Sequence, residues 1–156
     1  MCEHCGCRGV EPVAELMDEH FALLEIADEV RRSLAAQDRG EVRRLLERAG
    51  RMLARHVSRE EAGIFAALEE QGDFADAVRE LEAEHVDFDR QLARLDDSTP
   101  DFAAAVRRLL DELAEHVEKE NLGVFPVAVV TLGARGWETV GRAHAAKPSF
   151  LVTAPS

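Results

Sequence analysis

The sequence predicts an all-α protein: an up-down-up-down four-helix bundle with a short C-terminal extension carrying a short fifth helix. Three observations predict it. Ala, Leu, Glu and Arg recur throughout the 156 residues while proline occurs only five times, a helix-favouring composition. Apolar residues return at alternating spacings of three and four, the period of an inward-facing helix seam. Short breaks separate four long periodic segments, and short linkers return each helix against the one before it.

The first helix is expected over 12–36, with Val13, Met17, His20, Leu24 and Ala27 on its seam. Gln37-Asp38-Arg39-Gly40 breaks it. The second is expected over 40–71, with Ala49, Met52, His56, Glu60, Gly63 and Ala67 inward. Gln71-Gly72-Asp73 ends it, and Asp73 is a candidate N-cap for the third helix, 74–96. That seam runs Phe74, Val78, Leu81, His85, Phe88, Leu92 and Leu95. After Asp96-Asp97-Ser98, Thr99 is a candidate N-cap and Pro100 suits a first helical position of the fourth helix, 100–131. Its seam runs Phe102, Val106, Leu109, Leu113, His116, Glu120, Val124 and Val127. Gly133 is a candidate helix stop. A short fifth helix is expected from about Trp137. The expected organisation is a Cys-rich segment 1–10, a bundle 11–132 and a tail 133–156.

A net charge of −12 argues against sequence-independent binding to nucleic acid or anionic membranes, both of which need a basic face. No apolar run approaches the ~18–20 residues of a membrane span. The start, MCEHCGCRG, has neither a basic n-region nor an apolar h-region, so the expected location is the cytoplasm. Tyrosine is absent, which argues against an oxidase that works through a tyrosyl radical.

Every expected helix carries a histidine in its apolar seam: His20, His56, His85 and His116. Two also carry a glutamate one turn on, in the repeated stretches ARHVSREEAGIFA (54–66) and AEHVEKENLGVFP (114–126). Residues i and i+4 stack on one helix face, so His56/Glu60 and His116/Glu120 each point the same way. Depths agree: His20 lies about 16 residues before the first turn and His56 about 16 after it, which puts both about 24 Å from that turn. Across the third turn the offset is about 7 Å, one helical turn. A buried, unpaired carboxylate costs several kcal/mol or neutralises itself. A domain with a net stability of only ~5–15 kcal/mol carries such a layer badly. A pair of cations resolves the conflict by turning the polar atoms into ligands. The expected division is His20 and His56 on one ion and His85 and His116 on the other, with Glu60 and Glu120 bridging. Mixed imidazole and carboxylate donors with vacant positions suit iron or manganese better than closed tetrahedral zinc.

The series His20, His56-x-x-x-Glu60, His85, His116-x-x-x-Glu120, with its repeated flanks EEAGIF and ENLGVF, resembles the hemerythrin-like, or HHE cation-binding, family over about residues 12–130. The resemblance implies a four-helix bundle with a non-haem di-iron centre. It implies two oxo- or hydroxo-bridged iron ions held by those six residues, with both glutamates bridging. Two departures stand out. Oxygen-carrying hemerythrins have a fifth histidine one turn after the third-helix histidine, where this chain has Asp89. They usually end in His-x-x-x-x-Asp, where this chain has His116-x-x-x-Glu120. Fewer imidazoles favour the ferric state and a vacant position, and argue against simple reversible oxygen transport. Asp89 is either a solvent-side residue or an additional ligand or hydrogen-bond acceptor. Glu19, Glu61 and Glu84 read as surface helix positions.

All three cysteines fall in Cys2-Glu3-His4-Cys5-Gly6-Cys7. With His4 or His144 they form a candidate second metal site for zinc. They are also a candidate redox site, or a start with no fixed role. Three functions follow from the resemblance and the vacant positions. One is binding of O2, peroxide or NO in an oxidant or nitric-oxide response, with a redox partner. A second is a di-iron enzyme with catalase-like peroxide breakdown. The third is iron storage or delivery, including repair of iron–sulfur centres.

Overall fold

A computed structural model of the protein describes residue 6 and residues 9–152. Among these residues there is helix and turn and no strand. Helix α1 spans Glu11–Ala35 and α2 spans Arg39–Glu60. The second rod continues through a π-helical turn, Glu61–Phe65, into α3, Ala66–Gln71. Helix α4 spans Ala75–Arg94. The fourth rod is α5, Phe102–Lys119, a second π-helical turn, Glu120–Val124, and α6, Phe125–Thr131. Helix α7, Ala134–Ala146, follows. Contacts of α1 with α2, α2 with α4, α4 with α5 and α5 with α1 close the long rods into a helical bundle.

The ends differ in detail from the sequence expectation. Asp38 caps α2 by accepting from the Glu41 amide at 3.0 Å. Gly72 ends α3 at φ 92°, the left-handed conformation a glycine adopts without a Cβ clash. Neither Asp73 nor Thr99 caps a helix: the residues at the helix starts are Phe74 and Asp101, without a side-chain capping bond. Asp96 is the reason in the second case. It accepts from the Ser98 amide and hydroxyl at 2.9 and 2.6 Å, while the Thr99 hydroxyl donates to the Asp96 carbonyl. That loop consumes Thr99 and Pro100, so α5 begins at Phe102. Gly133 precedes α7 instead of stopping α6, and α7 begins at Ala134, ahead of Trp137. On α1 the seam passes from His20 to Leu23; Leu24 is only half-buried.

The bundle interior is divided. One apolar cluster gathers Val13, Met17, Phe65, Leu68, Leu81, Val124 and Phe125. The other gathers Leu23, Val30, Leu45, Met52, Phe88, Val106 and Leu113. Along every long rod the histidine lies between residues of the two clusters. The seams therefore read apolar, polar, apolar.

Each of the two repeated stretches contains a π turn. His, Glu, Gly and Phe recur at 56, 60, 63, 65 and at 116, 120, 123, 125. In a π turn bonding closes over five residues instead of four, so the Phe five after each Glu is carried back toward the Glu face. Phe65 stacks on His85 with ring centroids 5.5 Å apart, and Phe125 stacks on His20 at 5.4 Å. The two glycines have different surroundings. Helix α7 packs on the first π turn. A Cβ added at Gly63 would stand 3.3 Å from Ala143 Cβ, whereas one at Gly123 would meet nothing within 4 Å. Beyond α7 the chain returns along α2, where Arg55 donates to the Pro148 carbonyl at 2.7 Å and Phe150 enters the second cluster. No helix among the described residues is long and apolar enough to cross a membrane.

Gly63→Val is therefore expected to push α7 off the first π turn and to lower stability by about 1–3 kcal/mol, the usual cost of overpacking. Gly123→Ala is expected to carry no such cost. Urea unfolding of the two variants checks the pair; equal losses would contradict the packing described.

Candidate metal centre

Four helices place one histidine each at the junction of the two apolar clusters. His20 comes from α1, His56 from α2, His85 from α4 and His116 from α5. Glu60 ends α2 and Glu120 opens the second π turn. All six are buried, the two glutamates completely.

Their donor atoms converge in two groups. His20, His56, Glu60 and Glu120 form one, and His85, His116, Glu60 and Glu120 form the other, each with its ligand atoms within 4.8 Å of one another. Both carboxylates belong to both groups. Glu60 lies 2.9 Å from His56 Nε2, 3.4 Å from His20 Nε2 and 3.4 Å from His85 Nε2. Glu120 lies 3.1 Å from His20 Nε2 and also contacts His85 and His116 through their Nε2 atoms.

Three of the outward nitrogens are held separately, and the fourth, His56 Nδ1, makes no hydrogen bond of acceptable geometry. His20 Nδ1 bonds Asn121 Oδ1 at 2.8 Å, His85 Nδ1 bonds Glu61 at 3.0 Å and His116 Nδ1 bonds Glu84 at 2.6 Å. Glu19 Oε1 stands 3.4 Å from His56 Nδ1. An ionised carboxylate only accepts, so the Nδ1 facing it carries the proton and the Nε2 lone pair faces inward. This is how proteins orient metal-binding imidazoles.

The inward atoms lack such partners. His20 Nε2, His56 Nε2 and all four oxygens of Glu60 and Glu120 are buried without a hydrogen bond of acceptable geometry. His85 Nε2 and His116 Nε2 face each other at 3.0 Å, two lone pairs opposed unless a proton or a cation lies between them. Buried polar atoms are almost always paired. Imidazole nitrogen and carboxylate oxygen, orphaned together and already aimed, fit cations.

Without a cation, protons must do the work. Burial pulls His20 down, but the carboxylates of Glu120 and Glu60 outweigh it and raise the imidazole to about 10. The same opposition raises His85 to about 11. His56 is also raised, burial being outweighed by Glu60 and Glu19. Burial pushes Glu60 up, yet His56, His20 and His85 hold it well below the usual carboxylate range. Burial and Glu60 push Glu120 up, and His116, His20 and His85 bring it below its ordinary value.

A layer of buried charge surrounds the His20/His56 half. Arg59, wholly buried, donates to Glu15 at 2.6 Å, to Glu19 at 3.2 Å and to the Lys147 carbonyl at 2.5 Å. It thereby ties α1, α2 and the end of α7 together behind His56. The repeat places Lys119 where Arg59 stands, and Lys119 pairs with Glu84 behind His116.

Of four residues that the seam pattern missed, Glu61, Glu84 and Asn121 thus hold imidazoles and Glu19 faces the fourth. Glu19, Glu61 and Glu84 are not the free surface positions their charge suggests. A signal exists in the sequence. Glu19-His20 matches Glu84-His85, and Glu60-Glu61 matches Glu120-Asn121, so each outer acceptor adjoins a residue of the cluster.

Asp89 is exposed and stands outside both groups. It borders a pocket between α2 and α4 that His85 and Glu61 also line. His144 lies 3.4 Å from Glu15 and beside Arg59, and burial together with the Arg59 charge lowers its pKa. Cys2, His4, Cys5 and Cys7 lie outside the described residues.

An all-helical bundle with imidazoles and shared carboxylates at a buried, cation-competent centre is the class these features define. The family model of the hemerythrin HHE cation-binding domain matches residues 11–128. That is most of the chain, which therefore belongs to this family. No curated protein and no solved structure matches it.

The raised histidines make a pH prediction for the metal-free chain. Folded-state pKa values of about 10 and 11, above an ordinary 6.5, contribute stability that is complete below about pH 6.5. It is lost as pH rises through the folded values. The lowered Glu60 and Glu120 contribute stability above their ordinary 4.5 that is lost as pH falls below it. The metal-free urea midpoint is expected to be highest between these limits and to fall toward pH 10. Cation binding at neutral pH is expected to release protons. Calorimetry in two buffers of different ionisation enthalpy measures that release; identical heats in both would refute it.

Proposed function

We propose that the chain is a non-haem di-iron protein that binds a small oxidant or gas, namely dioxygen, peroxide or nitric oxide, and works in an oxidant or nitric-oxide response. The observation that carries the proposal is the set of inward atoms without partners, on imidazoles of which three have their outward nitrogens already held. Under this reading His20 and His56 hold one ion and His85 and His116 the other. Glu60 and Glu120 would be shared between the two ions, as their membership of both groups allows. The bundle carrying the centre runs over 11–132 with an up-down-up-down course, flanked by the Cys-rich segment and the tail.

Mixed nitrogen and oxygen donors suit iron, and iron when bound supplies reversible ligation and electron exchange toward oxygen- or nitrogen-based ligands. The protein supplies the rest. Asn121, Glu61 and Glu84 lock three imidazole orientations, and Glu19 faces the fourth. Phe65 and Phe125 cover two of the rings and exclude water from them. Four imidazoles and two carboxylates are the residues that would hold the iron pair.

Nitric oxide titration of the anaerobically iron-loaded chain is expected to give a saturable visible band. Glu60→Ala and Glu120→Ala are each expected to weaken or abolish it. Absence of any band in an iron-loaded wild type would refute ligand binding. Gas evolution on adding peroxide separates breakdown from binding: sustained evolution would replace the binding role with the catalase-like one.

A further inference from the structure

The two halves of the centre are related by the sequence repeat but not by their surroundings. Behind His56, Arg59 and Glu19 are both 0% exposed, and α7 closes over Gly63. Behind His116 the corresponding pair, Lys119 and Glu84, is 57% and 29% exposed. Among the described residues no helix covers Gly123, where an added Cβ would meet nothing within 4 Å.

That bare position opens onto a pocket of about 320 Å³ between α3, α4, the second π turn and α6. Phe74, Leu81, Val124 and Val127 give it an apolar lining. Leu81 lies one turn before His85 and Val124 one turn after Glu120, so the pocket stops one helical turn short of the cluster. Glu84, whose carboxylate holds His116, borders it together with Glu80 and Lys119. Two carboxylates against one ammonium disfavour anions at this border, and the lining favours an apolar guest.

We infer that neutral apolar diatomic ligands reach the His85/His116 half of the centre through the pocket at Gly123, while α7 and the Arg59–Glu19 pair seal the His20/His56 half. The inference rests on the di-iron reading for what lies at the end of the path. The pocket itself does not need a metal.

Two substitutions fill the pocket from opposite walls. Gly123→Leu enters from the second π turn. Ala77→Leu enters from α4, where Ala77 is exposed and a larger side chain leaves the core untouched. In the metal-free full chain, dissolved xenon is expected to shift the methyl resonances of Leu81, Val124 and Val127, and to shift them less in either variant. In the iron-loaded chain, stopped-flow nitric oxide association is expected to slow about ten-fold or more in both variants. Iron content and unfolding midpoint are expected to stay at the wild-type values. Failure of xenon to perturb these methyls in the wild type, or unchanged association in both filled variants, would overturn the inference. Complete failure of the loaded wild type to bind nitric oxide would refute the metal reading instead. The xenon shifts would then still decide whether the pocket admits an apolar guest.

Discussion

Two carboxylates buried side by side are the constraint on which the rest of this structure depends. Glu60 and Glu120 are wholly buried, and their oxygens lack hydrogen bonds of acceptable geometry. Like charges in a dry interior repel, and each alone would neutralise itself or destabilise the fold. Four imidazoles surround them, and protons raised onto His20 and His85 compensate the charge in the metal-free chain. The apolar core splits into two clusters to make room for this layer. The outer carboxylates, the stacked phenylalanines and the π turns all orient or enclose it.

The layer is built twice. One unit is Glu-His on the odd-numbered rods, in Glu19-His20 and Glu84-His85. The other is a His, then a cation three residues on, then a Glu, in His56, Arg59, Glu60 and in His116, Lys119, Glu120. The histidine, the shared glutamate, the outer acceptor and the stacking phenylalanine obey the repeat. The cation does not obey it in burial. Arg59 reaches four carbonyl and carboxylate partners across α1 and the end of α7, a reach that a planar five-donor guanidinium permits. Lys119 makes one exposed pair. Helix α7 can cover only one of the two π turns, and this breaks the symmetry of an otherwise paired centre.

Much of this was legible in the sequence. A histidine in an apolar seam is conspicuous at a period of 3.6, and an i, i+4 glutamate shares its face whatever the tertiary structure. The six residues so marked are the ones whose atoms converge. The outer acceptors were less legible because a charged residue beside a seam position normally faces solvent; only a partner helix makes Glu19 or Glu84 a buried acceptor. The π turns were hidden for a related reason. They leave the flanking α-period intact and reveal themselves only in where Phe65 and Phe125 point. The covering of Gly63 by α7 depends on a contact distant in sequence, which neither the helix period nor turn residues encode. The caps expected at Asp73 and Thr99 were overridden by the Asp96 loop and by helix starts one or two residues later.

Counting the metal tests the central claim most directly. Two donor groups sharing two glutamates predict two irons per chain after anaerobic loading and removal of excess. Mössbauer spectra should show coupled high-spin ions. The Glu60→Ala/Glu120→Ala double variant should lose that coupling while remaining helical by circular dichroism. A wild-type chain that retains less than one iron, or a double variant with undiminished iron and coupling, would contradict the account.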